Sequence, residues 1–383
     1  MINPPNQATQ YLKTEMNKSK HWSNDFEPVF KPLLEDGADP NTRNHNHDTL
    51  LLHFCCRYVY QKRQNKYQKK NKENLLLIID YLLQKGANPN VSNRDFRSPL
   101  YYAADGGNPE LVSLLLKYKA DPNFFYGYIL EAAIRSKKTE IISMLLNAGA
   151  DPDGKVSKFQ TRSLLPPSPL IRLCQFAGPK GIYIDMLEIL LKSGANPNIE
   201  TSYTSPLFAA AGKTVDAAFI KLLLKYNAST SFVNRDGNTL LHAVMGRKKV
   251  FSKAYANHST EDFFIKQGIE VALVFMNKGL SILEKNKKGQ TPLDINGDIQ
   301  FKRLLLKEMI ERFNALTYLD SHRNTLLHIA VYMNDIEAVK KLLMTGLSPD
   351  AKNLEGKSPR DFSIGRKEIR LLFDDWKKAN PSK

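Results

Sequence analysis

His53, Cys55 and Cys56 lie close together, a spacing that could set a thiol nucleophile beside its base. The same stretch, LLLHFCC over 50–56, reads as a helix that needs apolar positions, and free cysteines are usually buried. A packing role is therefore expected for all three. His45 and His47 form a second pair, with none of the further clustered Cys or His that a metal site requires. No metal or other cofactor is expected. The chain has no GxxxxGKS or GxxxxGKT phosphate loop, no HExxH and no paired CxxC. These absences point away from an enzyme.

The cations are the other candidates for chemistry. Formal net charge is +16, with 39 Lys among 383 residues. Residues 57–74 hold a net +6, including Lys62, Arg63, Lys66, Lys69 and Lys70, with Tyr58, Tyr60 and Tyr67 interleaved. Residues 246–268 hold a net +3, including Arg247, Lys248 and Lys249. Such clusters suit a nucleic acid, an anionic membrane or an acidic protein. They equally suit a solvated helix extension, and no recognised nucleic-acid module accompanies them.

The elements that must carry these residues repeat. One phrase reads LLEDGADPN at 33–41, LLQKGANPN at 82–90, LLKYKADPN at 115–123, LLNAGADPD at 145–153 and LLKSGANPN at 190–198. Weaker copies are LLKYNASTS at 223–231, FMNKGLSIL at 275–283 and LLMTGLSPD at 342–350. Each is the apolar end of a helix, then Gly (or Lys119, Asn227) where a helix stops in the left-handed conformation, then residues that cannot continue it. A second phrase follows: TLLLHF at 49–54, SPLYYA at 98–103, SPLIRL at 168–173, SPLFAA at 205–210, TLLHAV at 239–244, TPLDIN at 291–296, TLLHIA at 325–330 and SPRDFS at 358–363. Ser or Thr caps a helix there, and Pro suits its first turn. Cap to Gly position is 21 residues and Gly position to next cap is 12 in the regular copies, a 33-residue period.

The phrases and period resemble the ankyrin repeat over roughly 26–375. The resemblance implies an all-α solenoid of about eight to nine helix-turn-helix units with β-hairpin-like tips, each unit burying its neighbour's apolar face. The expected organisation is an extension over 1–25, a capping half-repeat over 26–45 and repeats over 46–94 (insertion 57–74), 95–124, 125–164 (long hairpin), 165–201 (short insertion), 202–235 and 236–287 (insertion 246–268). A degenerate repeat over 288–321, with Arg312-Phe313 at the Gly position, a repeat over 322–354 and a capping repeat over 355–383 complete it. In the family the His matching His242 and His328 ties hairpin backbone together, and the hairpin Asn matching Asn41, Asn90, Asn123 and Asn198 can be hydroxylated.

The resemblance also implies a protein partner, held by tips and inner helices that line a concave groove. Those positions are aromatic here: Phe96, Arg97, Tyr101, Tyr102, Phe124, Phe125, Tyr126 and Tyr203. Aromatics and Arg are favoured interface anchors. The expectation is a non-enzymatic scaffold, a monomer, whose partner is a protein of acidic character, with nucleic acid or anionic membrane as the alternative through the basic loops. Three cysteines, two of them adjacent, suit free thiols in a reducing, cytoplasmic setting. The Lys- and Asn-rich composition is similar in style to ankyrin effectors that intracellular bacteria deliver into host cells.

Overall fold

The computed structural model describes residues 6–18, 22–60, 68–124, 128–154, 168–176, 181–213, 217–246, 258–295 and 298–381; the side chains of 23–24, 68–71 and 258–264 lie outside that description. The helices are α1 (Gln7–Lys18), α2 (Trp22–Asp25), α3 (Lys31–Glu35, after a π-helical turn Phe26–Phe30), α4 (Leu50–Tyr60), α5 (Gln68–Gln84), α6 (Pro99–Asp105), α7 (Pro109–Lys117), α8 (Tyr128–Ser136), α9 (Thr139–Asn147), α10 (Pro169–Phe176) and α11 (Gly181–Lys192). They continue as α12 (Pro206–Lys213), α13 (Ala217–Lys225), α14 (Leu240–Met245), α15 (His258–Met276), α16 (Pro292–Ile295), α17 (Ile299–Arg312), α18 (Leu326–Tyr332), α19 (Ile336–Met344), α20 (Pro359–Phe362) and α21 (Lys367–Ala379). Among the described residues there is no strand, and no helix is long and apolar enough to cross a membrane.

The chain divides into two compact units. The first is Met1–Arg172 with Asp185–Asn196, and the second is Leu173–Ile184 with Pro197–Lys383. In the first, α4, α6 and α8 stack in order and α7 lies against α9. In the second, α12, α14 and α16 stack, as do α13, α15 and α17, and α18 and α19 pack on α20 and α21 respectively. The fold class is the expected all-α one, and within each unit helix pair buries helix pair. Ala103, Ala104, Ala132 and Ala133 are fully buried where α6 and α8 approach. Leu82, Leu115 and Leu145 of the second helices are equally buried, each stabilising by roughly 2 kcal/mol relative to exposure.

The two phrases start and stop the helices as their residue types dictate. Ser98, in extended backbone, accepts at Oγ from the Tyr101 N–H, and Thr325 does the same for His328. At the other end Gly37, Gly86, Gly149, Gly194, Gly279 and Gly346 all have positive φ, and so do Lys119 and Asn227, both at +62°. The following N–H then reaches back five residues, as from Ala87 to the Leu82 carbonyl and Ala228 to that of Leu223, closing the Schellman pattern. The degenerate repeat breaks this rule: Phe313 ends α17 in extended backbone (φ −94°, ψ 142°).

The tips are single-rung hairpins held by a side chain. Asn44, Asn93, Asn234, Asn286, Asp320 and Asn353 each sit five residues before a helix cap. The backbone N–H of each donates to the carbonyl four residues on, as from Asn93 to Arg97 at 3.2 Å. The Oδ1 of each accepts the N–H groups two and four residues on, as from Asp95 and Arg97 to Asn93, both at 3.0 Å. This satisfies turn donors that water would otherwise serve.

The segment read as an extension joins the stack. Leu12 and Met16 of α1 are buried. Asn6 Nδ2 donates to the Gly37 carbonyl at 2.8 Å, and Thr9 Oγ1 accepts from the Asp39 N–H at 2.9 Å. At the far end Ile369, Phe373 and Trp376 form the buried stripe of α21. Arg366, just before α21, turns inward and donates to the Phe362 and Tyr332 carbonyls.

Candidate interaction surface

In the first unit the tip between α5 and α6 presents Phe96. Its φ is +60°, a left-handed backbone that a bulky residue adopts only under constraint, and it is 60% exposed. The constraint is the Asn93 side chain, which fixes the N–H groups on both sides of it.

Arg97 follows, half-buried, its guanidinium 5.7 Å from the centre of the Tyr101 ring. Tyr101 occupies the position that His242 and His328 hold in their repeats. Its hydroxyl accepts from Arg135 Nη2 at 2.8 Å, and the Arg135 guanidinium also lies 5.8 Å from its ring centre. Arg135 in turn pairs with Asp105 and Glu131, both at 3.0 Å, and Arg172 Nε reaches the same Glu131 Oε1 at 2.8 Å. The Glu131 side chain is 3% exposed, and its Oε2 is buried without a hydrogen bond. A carboxylate removed from water in this way depends on its two arginines.

Tyr102, expected as a contact residue, is 6% exposed and is corrected to a packing role. Its hydroxyl accepts from Asn93 Nδ2 at 3.0 Å, and its ring makes edge contacts with Tyr60 and Tyr101. Burial pushes its phenol above the usual range. The residue after the His position faces the neighbouring helix, as fully buried Ile329 does in its own repeat. Tyr60, which was counted only with the basic insertion, is 55% exposed on this side of the unit. Phe124 is half-buried, and Phe125 and Tyr126 lie outside the described residues.

In the second unit Tyr203 is 58% exposed. Its hydroxyl accepts from Arg235 Nη1 at 2.7 Å, with the guanidinium 4.5 Å from the ring centre, so one tip steadies the aromatic of another.

Of the basic insertions, Lys62, Arg63, Lys66, Arg247, Lys248 and Lys249 lie outside the described residues. Lys69 and Lys70 fall in the first turn of α5, their side chains outside the description. The described flanks are helical: α4 runs on to Tyr60 and α5 begins at Gln68. Lys72 lies 4.9 Å over the Tyr58 ring and 3.9 Å from Glu110.

The residues that could have done chemistry are packed. The His53 ring lies 4.4 Å from Trp22, and its Nε2 is buried without a partner. Burial, helped by Arg57, lowers its pKa to about 4. Burial raises the Cys55 thiol far above its usual range and raises Cys56 as well, so neither is a thiolate near neutral pH. His45 Nδ1 and N–H both engage Asn17 Oδ1. Among the described residues no group of three or more His, Cys, Asp or Glu could hold a metal.

His242 and His328 do what the resemblance implied. His328 Nδ1 accepts from the Thr325 N–H at 3.1 Å, and its Nε2 meets the Lys357 carbonyl at 3.2 Å. His242 makes the same pair of bonds with Thr239 and Gln290. The hairpin Asn residues bridge successive repeats. Asn41 donates to the Gly86 carbonyl and accepts from Asn88 N–H; Asn90 and Asn123 repeat the pattern onto Lys119 with Asp121 and onto Gly149 with Asp151. Asn198 does so in the second unit, onto Asn227 and Ser229.

Comparison with known proteins agrees on the repeat. A family model described as ankyrin repeats (3 copies) matches residues 69–155, and one described as ankyrin repeat matches 322–354. A putative ankyrin repeat protein of fowlpox virus (strain NVSL) is 38% identical over 118 residues, 28% of this chain and 22% of that protein. The transient receptor potential channel pyrexia of Drosophila melanogaster is 30% identical over 192 residues, 48% of this chain and 16% of the channel. The matches thus span under a quarter of either relative's length. Among solved structures, the human ASB11 ankyrin repeat domain is similar over 68% of this chain and 97% of that one, at 18% identity and TM-score 0.43. The Bcl-3 ankyrin repeat domain is similar over 69% and 100%, at 18% identity and TM-score 0.46.

Proposed function

We propose that this chain, an ankyrin-repeat protein, is a non-enzymatic scaffold that captures a partner protein on the groove formed by its tips and first helices. The observation that carries the reading is Phe96. An exposed aromatic held in left-handed backbone costs about 1 kcal/mol or more where Gly would cost less, and such strain concentrates at functional positions. Arg97 beside it and Tyr203 in the second unit add the residue types that dominate interfaces. The Lys- and Asn-rich composition supports a setting in which the chain is delivered into a host cell and acts on host proteins. Capture from host-type lysate by the native chain and by a variant with Phe96, Arg97 and Tyr203 all changed to Ala tests the surface. Loss of the captured partner is expected, and retention in full contradicts the assignment.

A further inference from the structure

Resting on that scaffold reading, we propose that the partner's docking element is an acidic linear segment, with a carboxylate taken by Arg97 and a neighbouring apolar side chain laid against Phe96 and Tyr60.

The first support is the state of the Arg97 guanidinium. It is half-buried, 5.7 Å from the centre of the Tyr101 ring. No ion pair joins it to any carboxylate among the described residues, whereas Arg135 and Arg172 are both committed to Asp105 or Glu131. A guanidinium stacked on an aromatic ring keeps its planar fork free at the edge, pre-oriented for a carboxylate.

The second support is the partition of cations in the first unit. Over the described stretches 41–60, 91–105, 128–136 and 168–172 its tips and first helices carry Arg43, Arg57, Arg94, Arg97, Arg135 and Arg172 and no lysine; Lys62, Lys66, Lys155 and Lys158 lie outside the described residues. The second helices and their ends carry Lys72, Lys85, Lys117, Lys119, Lys137 and Lys138 instead. In a chain with 39 Lys and 16 Arg, composition alone would place lysines on both sides. Arg is the cation suited to forked recognition and to stacking, while Lys is a strongly hydrated point charge suited to a solvated face. The side that selects Arg is the side that presents Phe96 and Tyr60, at 60% and 55% exposure. Charge complementarity therefore assigns an acidic occupant, and the flanking rings assign it an apolar neighbour.

The test is selection of short random peptides displayed on phage against the whole chain. Enriched peptides are expected to carry Asp or Glu beside an aliphatic or aromatic residue. A synthetic enriched peptide is expected to lose about tenfold or more in affinity for Arg97→Gln, roughly 1.4 kcal/mol, and less for Arg97→Lys, which keeps the charge without the fork. Thermal melts of both variants confirm folding. Enrichment without acidic residues, no enrichment at all, or unchanged affinity for Arg97→Gln overturns the proposal. If the enriched peptides lack acids yet bind only when Phe96 is present, the acidic segment falls and the scaffold surface stands. If they bind the Phe96, Arg97 and Tyr203 triple variant as well as the native chain, both fall.

Discussion

Two positions before the caps Thr49, Ser98, Thr239, Thr291, Thr325 and Ser358 the backbone turns left-handed, as it does not at Tyr203 before Ser205, and the two units fill that position differently. The first unit has His47 and Phe96 there, at φ +65° and +60°; the second has Gly237, Gly289, Arg323 and Gly356. The tips also meet their neighbours differently. In the first unit Arg43 Nη1 bridges from its own tip to the Ser92 carbonyl at 3.0 Å, a side chain spanning the gap. In the second, backbone meets backbone: the Lys287 N–H donates to the Asp236 carbonyl at 3.1 Å and the Leu354 N–H to that of His322 at 2.8 Å. Amide pairs reinforce these, Asn286 to Asn238 at 2.9 Å and Asn353 to Asn324 at 2.8 Å. The same turn can thus be closed tightly, with glycine and stacked backbone, or left open enough to carry side chains outward. The second unit mostly does the former and the first does the latter, which is why the proposed surface is centred on the first, with Tyr203 the exposed aromatic of the second.

The comparison breaks most easily at Gly237. A Cβ there would lie 2.7 Å from the Lys287 backbone nitrogen, and φ is +79°. Gly237→Ala is expected to cost about 3 kcal/mol in urea unfolding, whereas Gly289→Ala, with open space around its Cβ and φ +73°, should cost about 1 kcal/mol. Equal costs would mean that the tips of the second unit are not closely stacked.

A pH titration sharpens the contrast from the first unit. The His53 pKa is lowered from 6.5 to about 4, so the unfolded chain takes up the proton first. The stabilisation is complete above pH 6.5 and is lost as pH falls from there towards about 4, by about 3 kcal/mol. His242 and His328 are lowered too, in the same sense, by burial. His53→Phe should remove the His53 share of the slope while leaving the rest; an unchanged slope contradicts its neutral burial.

A smaller effect sits at Asp153, which holds the place of the bridging Asn. It accepts from the Asn196 N–H at 2.7 Å, and burial raises its pKa. A carboxylate cannot donate to the next repeat's carbonyl as Asn123 does to Gly149. Asp153→Asn restores the donor and should gain about 1 kcal/mol, read as a raised urea midpoint at pH 7.

Much of this architecture was legible because a fixed period assigns a conformation to a position whatever residue fills it. Lys119 and Asn227 are left-handed as their register required, and Arg312-Phe313, lacking that signal, ends its helix in extended backbone. The tip Asn five residues before five of the caps, and Asp320 before a sixth, were hidden by abundance, since the chain has 30 Asn and nothing marks these positions until their bonds are seen. The packing of α1 was hidden for another reason: Asn6 and Thr9 imitate the bridging Asn with two residues, outside any repeat phrase. For the surface, residue type selected Phe96, which is exposed, and Arg97, which is half-buried, but also Tyr102, which is buried because adjacent tyrosines at a helix start point to different sides. The glycines at 237, 289 and 356 were the one available sign that Phe96 occupies a left-handed position.

The most direct test makes one substitution in both units. Phe96→Gly and Arg323→Gly each replace a left-handed side chain, at φ +60° and +59°, with the residue that adopts it freely. Stability by urea unfolding and affinity for the captured partner are measured on both. Both variants are predicted to be as stable as the native chain or up to about 1 kcal/mol more so, while Phe96→Gly alone loses affinity, by about tenfold or more. Full affinity in Phe96→Gly, or an equal loss in Arg323→Gly, would contradict a binding surface centred on the first unit's tips.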